Sequence, residues 1–236
     1  MVKAIENGEK PQPTYWFNAA IIKMSDIKQM IKKYLVLICL VTSVILLVIA
    51  ALAYPGGSMA DKNSIGFQWS KNFMSNLFTA KAMNGADNPG RIWALVGMAF
   101  HAVGYGIFFI NMSKKISSRP WADILKFTGA ANILFIFLIA TPLHDLGVVS
   151  IILTLTGLFI MTVFILKTKL HVLKCCCIIC LLTYYCFFFF FGLGYLGLAV
   201  ILQKVYVICS MLLVVALEYF TRYEDFIQIK PGGKKI

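Results

Sequence analysis

The chain has 236 residues, of which 60% are hydrophobic and 14% are charged, and its mean hydropathy is +0.81. A soluble domain of this length has too much surface for its volume to bury that much apolar area, so the composition excludes a soluble globular protein and indicates that lipid surrounds most of the chain. The formal net charge of +12 is compatible with nucleic-acid binding, but in a membrane protein the same excess marks cytoplasmic loops.

The first 33 residues are predicted to form a cytoplasmic tail followed by a basic amphipathic helix. Residues 1–13 hold charged residues and prolines, which are typical of a loose tail. From Tyr15 to Lys33 apolar residues recur every three or four positions, and lysines occupy much of the rest. Such a pattern predicts an interfacial helix in the headgroup plane of an anionic leaflet. The alternative is a plain cytoplasmic extension of the first span.

Six apolar segments are long enough, or nearly so, to cross the bilayer, since about 20 helical residues span its hydrocarbon core. The first segment exceeds the apolar run of a signal peptide and follows too long a tail, so it predicts a retained span. The six are about Tyr34–Tyr54, Ile92–Met112, Trp121–Thr141, Leu146–Leu166, Cys175–Phe191 and Leu198–Phe220. The predicted fold is therefore an all-α polytopic bundle of six transmembrane helices over residues 34–220, followed by a basic cytoplasmic tail over residues 221–236.

A long polar stretch, Pro55–Arg91, separates the first two spans. The sequence Tyr54-Pro55-Gly56-Gly57 predicts the end of span one, because proline and paired glycines do not continue a helix. Apolar residues four apart over Gly66–Met83 predict an outer-face helix with an aromatic side that covers the bundle. Asn88 and Pro89 predict the N-cap and the first residue of span two.

Four residues of this predicted outer helix are candidate binding residues. Trp69 and Phe73 belong to its aromatic face, and Asn72 and Asn76 belong to its polar face. A helix of this kind either rests on the bundle or lies in the membrane interface. In the first case, these side chains form the lid or the mouth of a site.

The distribution of basic residues predicts the orientation. With both termini in the cytoplasm, 16 of the 22 Lys and Arg residues lie on the inner side, 5 lie on the outer side, and Lys126 lies within span three. This bias follows the positive-inside rule. It predicts a multi-pass membrane protein with both ends cytoplasmic and accounts for the net charge without nucleic acid.

His101 and Asn132 are candidate binding residues near the middle of the bilayer. His101 is ten residues beyond Arg91, or about 15 Å along a helix, and Asn132 reaches nearly the same depth on span three. Gly97 and Gly104 share the face of His101 and predict close approach of another helix. The two polar residues are expected to face the bundle interior and to hydrogen-bond. They form either a structural contact between helices or a proton or ligand site.

His144 and Asp145 are the candidate catalytic residues. They lie in the tight turn between spans three and four, where Asp145 is well placed to cap span four. A His beside an Asp at the membrane surface is also suited to general-base catalysis. Two adjacent residues do not make a metal site, and Cys177 and Cys180 lie in an apolar helix without a second pair. No metal or cofactor is predicted.

Short motifs resemble those of a known group of six-span membrane proteins. They are Tyr54-Pro55-Gly56-Gly57, the stretch from Trp69 to Leu77, Asn88-Pro89, Pro142 with His144-Asp145, and Gln203-Lys204. The chain looks like the prokaryotic family of domain of unknown function 998, and it is similar in plan to the DRAM-type autophagy-modulator membrane proteins. The resemblance implies a six-helix bundle with cytoplasmic ends. The Ser-Asp-Leu-Gly typical of that group is Ser75-Asn76-Leu77-Phe78 here, so the resemblance does not carry over a role for that Asp.

Three functions are compatible with these features. The first is a non-enzymatic integral membrane protein that binds or organises membrane lipid or a partner membrane protein, which requires an apolar groove beneath the outer helix. The second is a membrane-embedded hydrolase or lipid-modifying enzyme, which requires several polar groups around His144. The third is a small transporter, which requires a cavity that reaches His101.

Overall fold

The computed structural model describes residues 13–136 and 147–227. These residues form seven α-helices and one short 3₁₀-helix, and no strand is found among them. The α-helices are α1 (Pro13–Leu52), α2 (Arg91–Ser113), α3 (Arg119–Ile136), α4 (Gly147–Ile165), α5 (His171–Gly192), α6 (Leu196–Phe220) and α7 (Glu224–Ile227).

Four helices of the described residues are long and apolar enough to cross a membrane. They are Lys23–Leu52, Arg91–Ser113, His171–Gly192 and Leu196–Phe220, and Val149–Ile165 is a shorter apolar helix. The predicted all-helical membrane class is thus confirmed at this level. Helix α3 begins near the predicted start of span three and is described to Ile136, and residues 137–141 of that span lie outside the described residues.

Contacts divide the chain into two units, Met1–Leu35 and Val36–Ile236. In the first unit every side chain from Lys23 to Tyr34 is exposed. The predicted amphipathic segment is not a separate helix, because its residues belong to α1, which runs unbroken from Pro13 to Leu52. The reason is local: no glycine or proline follows Pro13 before Leu52, so nothing in the sequence ends the helix earlier.

The second unit contains a connecting segment, residues 53–90, between α1 and α2. The predicted stop of span one is confirmed, since α1 ends at Leu52 and Gly56 and Gly57 follow with φ angles of 142° and 82°. A side chain on Gly57 would collide with the backbone of Asn84. Only glycine combines this backbone conformation with so close an approach.

The outer-face helix predicted over Gly66–Met83 is wrong. The segment contains a single 3₁₀-helix, Met74–Phe78, and Phe73 before it is extended. The side chain of Asn72 accounts for much of this, because its Nδ2 donates to the Gly57 carbonyl at 2.7 Å and its Oδ1 accepts from the Gln68 N–H at 3.0 Å. Asparagine side chains that bond nearby backbone groups compete with helix formation.

The predicted N-cap of span two is also corrected. Helix α2 begins at Arg91 with Gly90 as its N-cap. Asn88 instead accepts a hydrogen bond from the Gly90 N–H at 3.1 Å and donates two, to the Leu77 and Thr79 carbonyls, each at 3.0 Å. Asn88 therefore fastens the connecting segment to the start of α2.

Glycines on two faces of α2 allow its neighbours to approach closely. Gly97 and Gly104 contact α1, as the small-residue pattern predicted. On another face, Gly106 contacts Gly129 of α3, and a Cβ on Gly129 would lie 2.6 Å from the Gly106 carbonyl oxygen. The distance between the backbones of α2 and α3 thus depends on both residues having no side chain.

At its other end α2 is tied to α6 by polar contacts. Lys115 Nζ donates to the Glu218 and Thr221 carbonyls at 2.8 Å and 3.0 Å, and Asn111 Nδ2 donates to Glu218 Oε1 at 2.7 Å. Burial lowers the pKa of Lys115, and the nearby carboxylates of Glu218 and Asp225 oppose that shift. A cation that binds the last carbonyls of a helix also complements its dipole.

We expect Gly129→Ala to destabilise the bundle by about 1–3 kcal/mol, the usual cost of overpacking. The matched control is Gly197→Ala in the first turn of α6, where an added Cβ meets no atom within 4 Å. That variant should be neutral or slightly stabilising because alanine favours helices. Reversible unfolding in mixed micelles measures both free energies. Equal stability of the two variants would contradict the close contact between α2 and α3.

Candidate functional site

A cavity of about 620 Å³ lies in the unit Val36–Ile236. Its lining comes from the connecting segment, from α1 through Leu47, and from α2 to α6. Three lining residues, Ser75, Thr79 and Ala80, are exposed. This end of the cavity, its mouth, therefore borders the surface of the protein.

Helix α2 lines the cavity from its first residue to its middle. Arg91, Met98 and His101 all contribute, and their spacing of seven and three residues places them on one face. His101 lies about 15 Å along the helix from Arg91. Its ring stacks on Tyr105, with the ring centroids 4.4 Å apart. A cation, an apolar side chain and an imidazole thus follow one another from the mouth inward.

Polar side chains from three helices form the floor of the cavity. Asn132 Nδ2 donates to Thr154 Oγ1 at 2.8 Å, and Ser150 Oγ donates to Asn132 Oδ1. Ser210 accepts a hydrogen bond from the Tyr105 hydroxyl at 2.8 Å and donates to the Val207 carbonyl at 2.9 Å. These groups pair with each other because hydrocarbon offers them no partner.

Aromatic and amide side chains of α5 and α6 complete the wall. The rings of Tyr184 and Tyr206 contact each other, with centroids 4.2 Å apart. Both residues line the cavity, and so does Gln203, one turn nearer the start of α6. The wall therefore presents phenol and amide groups beside apolar surface.

Residues 72–80 of the connecting segment, which we name the cover, are held over the cavity by both α2 and α6. The Met74 N–H donates to Gln203 Oε1 at 2.7 Å, and Lys204 Nζ donates to the Asn72 carbonyl at 2.7 Å. On the other side Arg91 Nε donates to the Phe78 carbonyl at 3.1 Å. Side chains on two helices thus bond the backbone of the cover, which has few helical bonds of its own.

The described lining carries one formal charge. Arg91 is half-buried at the mouth, and no Asp or Glu occurs among the described lining residues. The floor is neutral and rich in hydroxyl and amide groups. Such a cavity can accept a molecule with an anionic or polar end, an apolar body, and a second group that forms hydrogen bonds.

The structure brings together three of the candidate binding residues. Asn76, His101 and Asn132 all line the cavity. The described hydrogen bonds of Asn132 go to Thr154 and Ser150, so the expected bond between His101 and Asn132 is replaced by this network.

The other three candidates on the connecting segment do not line the cavity. Trp69 is exposed and contacts Phe67, with ring centroids 5.2 Å apart. Asn72 is buried and bonds the backbone, and Phe73 is buried edge-on against Phe191. We assign these three residues to the structure of the cover and its surroundings.

The candidate catalytic residues His144 and Asp145 lie outside the described residues.

Several lining residues were missed by the sequence analysis, namely Arg91, Ser150, Thr154, Tyr184, Gln203, Tyr206 and Ser210. For most of these residues the sequence does contain a signal, which is the spacing of polar residues along a helix. Ser150 and Thr154 are four apart on α4, and Gln203, Tyr206 and Ser210 are three and four apart on α6. Polar residues at helical spacing within an apolar helix mark a face turned toward other protein or a cavity.

No protein-family model matches the chain, and the searches of curated proteins and of solved structures also give no match.

We expect Lys204→Met to loosen the cover without unfolding the helices. The variant loses a charged donor to the Asn72 carbonyl, a bond worth about 1.5–3 kcal/mol. Amide hydrogen exchange should therefore accelerate at least tenfold in the cover and change little in α2. Lys62→Met, at an exposed position of the same segment, serves as the control. Unchanged exchange in the cover of Lys204→Met would show that α6 does not hold it.

Proposed function

We propose that this protein is a non-enzymatic integral membrane protein that binds a small lipid-like molecule in the cavity beneath the cover. The observation that carries the proposal is the cavity itself, which extends from a mouth at Arg91 to a polar floor near Asn132 and Ser210. Its volume of about 620 Å³ is within the range of about 300–1,000 Å³ typical of small-molecule sites.

The pairing of the polar groups supports binding rather than nucleophilic catalysis. Within the described lining, the hydroxyls of Ser150, Thr154 and Ser210 bond to amide, phenol or carbonyl groups. An activated nucleophile is instead paired with a base such as histidine. The described interaction of His101 is instead the stacking of its ring on Tyr105.

The six-span arrangement with both termini in the cytoplasm forms part of the same proposal. It is supported by the four long apolar helices, by the shorter apolar helix in α4 and by the start of α3. The bias of 16 inner against 5 outer basic residues supports the orientation. In this arrangement the connecting segment lies on the outer side, and the plan is that of the six-span family the motifs resemble.

A small transporter is the second candidate. Its support is that the cavity reaches His101, about 15 Å along α2 from the mouth. A midplane polar site is typical of transporters. Transport would also require an exit toward the other end of the bundle, whereas binding alone would not.

We expect Val207→Trp to abolish lipid binding, because Val207 lines the cavity and the larger side chain would fill it. Ile208→Trp is the matched control, since Ile208 is the next residue on α6 and is exposed on its other side. Native mass spectrometry of the full chain released from micelles measures co-purifying lipid. Wild type and Ile208→Trp should carry at least tenfold more bound lipid than Val207→Trp. Equal lipid on all three proteins would overturn the proposed function.

The orientation is tested by labelling intact cells with a membrane-impermeant maleimide. We expect Lys62→Cys to be labelled from outside and Lys169→Cys to be labelled only after permeabilisation, since both positions are exposed and lie on opposite sides in the proposed topology. The parent chain, with its seven cysteines, gives the background. Labelling of both positions from one side would contradict the six-span arrangement.

A further inference from the structure

We infer that the ligand of this cavity is a single-chain lipid with an anionic headgroup and a hydrogen-bonding oxygen at the far end of its chain. This inference rests on the proposed function and names the substrate class of the same site. It follows from the order of chemical groups along the lining.

The headgroup assignment depends on Arg91. Its Nε bonds the Phe78 carbonyl at 3.1 Å, which fixes the guanidinium at the mouth while its two terminal nitrogens have no acceptor among the described residues. No carboxylate occurs in the described lining to neutralise it. A guanidinium at the edge of a low-dielectric cavity binds carboxylate or phosphate through paired, charge-assisted hydrogen bonds.

The apolar body of the ligand is assigned from the side chains between the mouth and the floor. Leu47, Met98 and Ile151 contribute hydrocarbon to the lining. These residues favour an alkyl chain through burial of apolar surface. The volume of about 620 Å³ matches one drug-sized molecule, which favours one chain over a two-chain phospholipid.

The second polar group is assigned from the floor. An unmodified alkyl chain that reached Asn132 and Ser210, which are already paired, would also cover His101, which has no hydrogen-bond partner among the described residues, and leaving that imidazole unpaired is unfavourable. A hydroxyl or carbonyl oxygen on the chain instead meets these donors and acceptors. His101 lies about 15 Å from Arg91 along α2. An extended chain advances about 1.3 Å per bond, so this oxygen belongs about twelve bonds from the headgroup.

The test uses the full chain in micelles and the probe 12-hydroxydodecanoate, in competition with dodecanoate and with methyl 12-hydroxydodecanoate, read by native mass spectrometry. We expect the wild-type protein to prefer 12-hydroxydodecanoate at least tenfold over each competitor. The ester lacks the anionic group and dodecanoate lacks the hydroxyl. A further arm with the corresponding alkyl phosphate decides whether the headgroup is a carboxylate or a phosphate.

Variants distinguish recognition of the anionic headgroup from recognition of the oxygen on the chain. Arg91→Gln should lose the preference for acid over ester, whereas Arg91→Lys keeps the charge and should retain most of it. Lys71→Gln, at an exposed position outside the lining, should behave as wild type. His101→Phe should lose the preference for 12-hydroxydodecanoate over dodecanoate and keep that for acid over ester.

Three results would overturn the inference: wild type binding ester as well as acid, wild type binding dodecanoate as well as 12-hydroxydodecanoate, or Arg91→Gln keeping its preference for the acid. In the first case, the proposed function still holds if the wild type binds neutral monoolein and Val207→Trp abolishes that binding. If neither monoolein nor any of the acids binds in a way that Val207→Trp abolishes, the proposed function itself fails.

Discussion

The fold depends on how a non-helical stretch satisfies its backbone beside a bilayer. A helix pairs its own N–H and carbonyl groups, but the connecting segment between α1 and α2 is mostly not helical and needs other partners. Side chains supply many of them. Asn72 and Asn88 bond the segment from within, and Gln203 and Lys204 bond it from α6. These bonds set the position of the cover and therefore the mouth of the cavity.

Helix α2 is central to the packing because its different faces contact different neighbours. Its glycines contact α1 on one face and α3 on another. Between these two faces, Arg91, Met98 and His101 lie along the cavity. Close backbone approach replaces the hydrophobic driving force that is weak between helices in lipid, since hydrocarbon solvates apolar side chains as well as protein does. The space for a ligand lies beside these tight contacts.

The polar floor of the cavity stabilises the bundle and can also form hydrogen bonds to a bound ligand. Asn132, Ser150 and Thr154 form one network, and Tyr105 and Ser210 form a second pair. Each group has a protein partner, so the bundle does not depend on a ligand to satisfy them. Hydroxyls and amides retain further lone pairs and protons, and a bound oxygen can use these without breaking the network.

The sequence alone determined the class of the protein, the approximate bounds of most helices and the end of α1. Hydropathy, segment length and the Pro-Gly-Gly signal are local properties, and for this reason α2, α5 and α6 lie within a few residues of their predicted bounds. His101 and Asn132 were also identified as candidates, because polar residues within apolar spans require a partner. Asn76 was identified because it belonged to the polar face of the predicted outer helix.

Only the tertiary structure decided the conformation of the cover and the composition of the cavity. Periodicity over Gly66–Met83 predicted a helix, but Asn72 bonds Gly57, fifteen residues earlier, and Gln203 bonds Met74 from α6. Periodicity within one segment does not contain such distant partners. The same holds for the lining, where residues from α1 to α6 meet. The spacing of polar residues shows which face of a helix is turned toward other protein or a cavity, whereas the packing of all the helices decides which residues that face contacts.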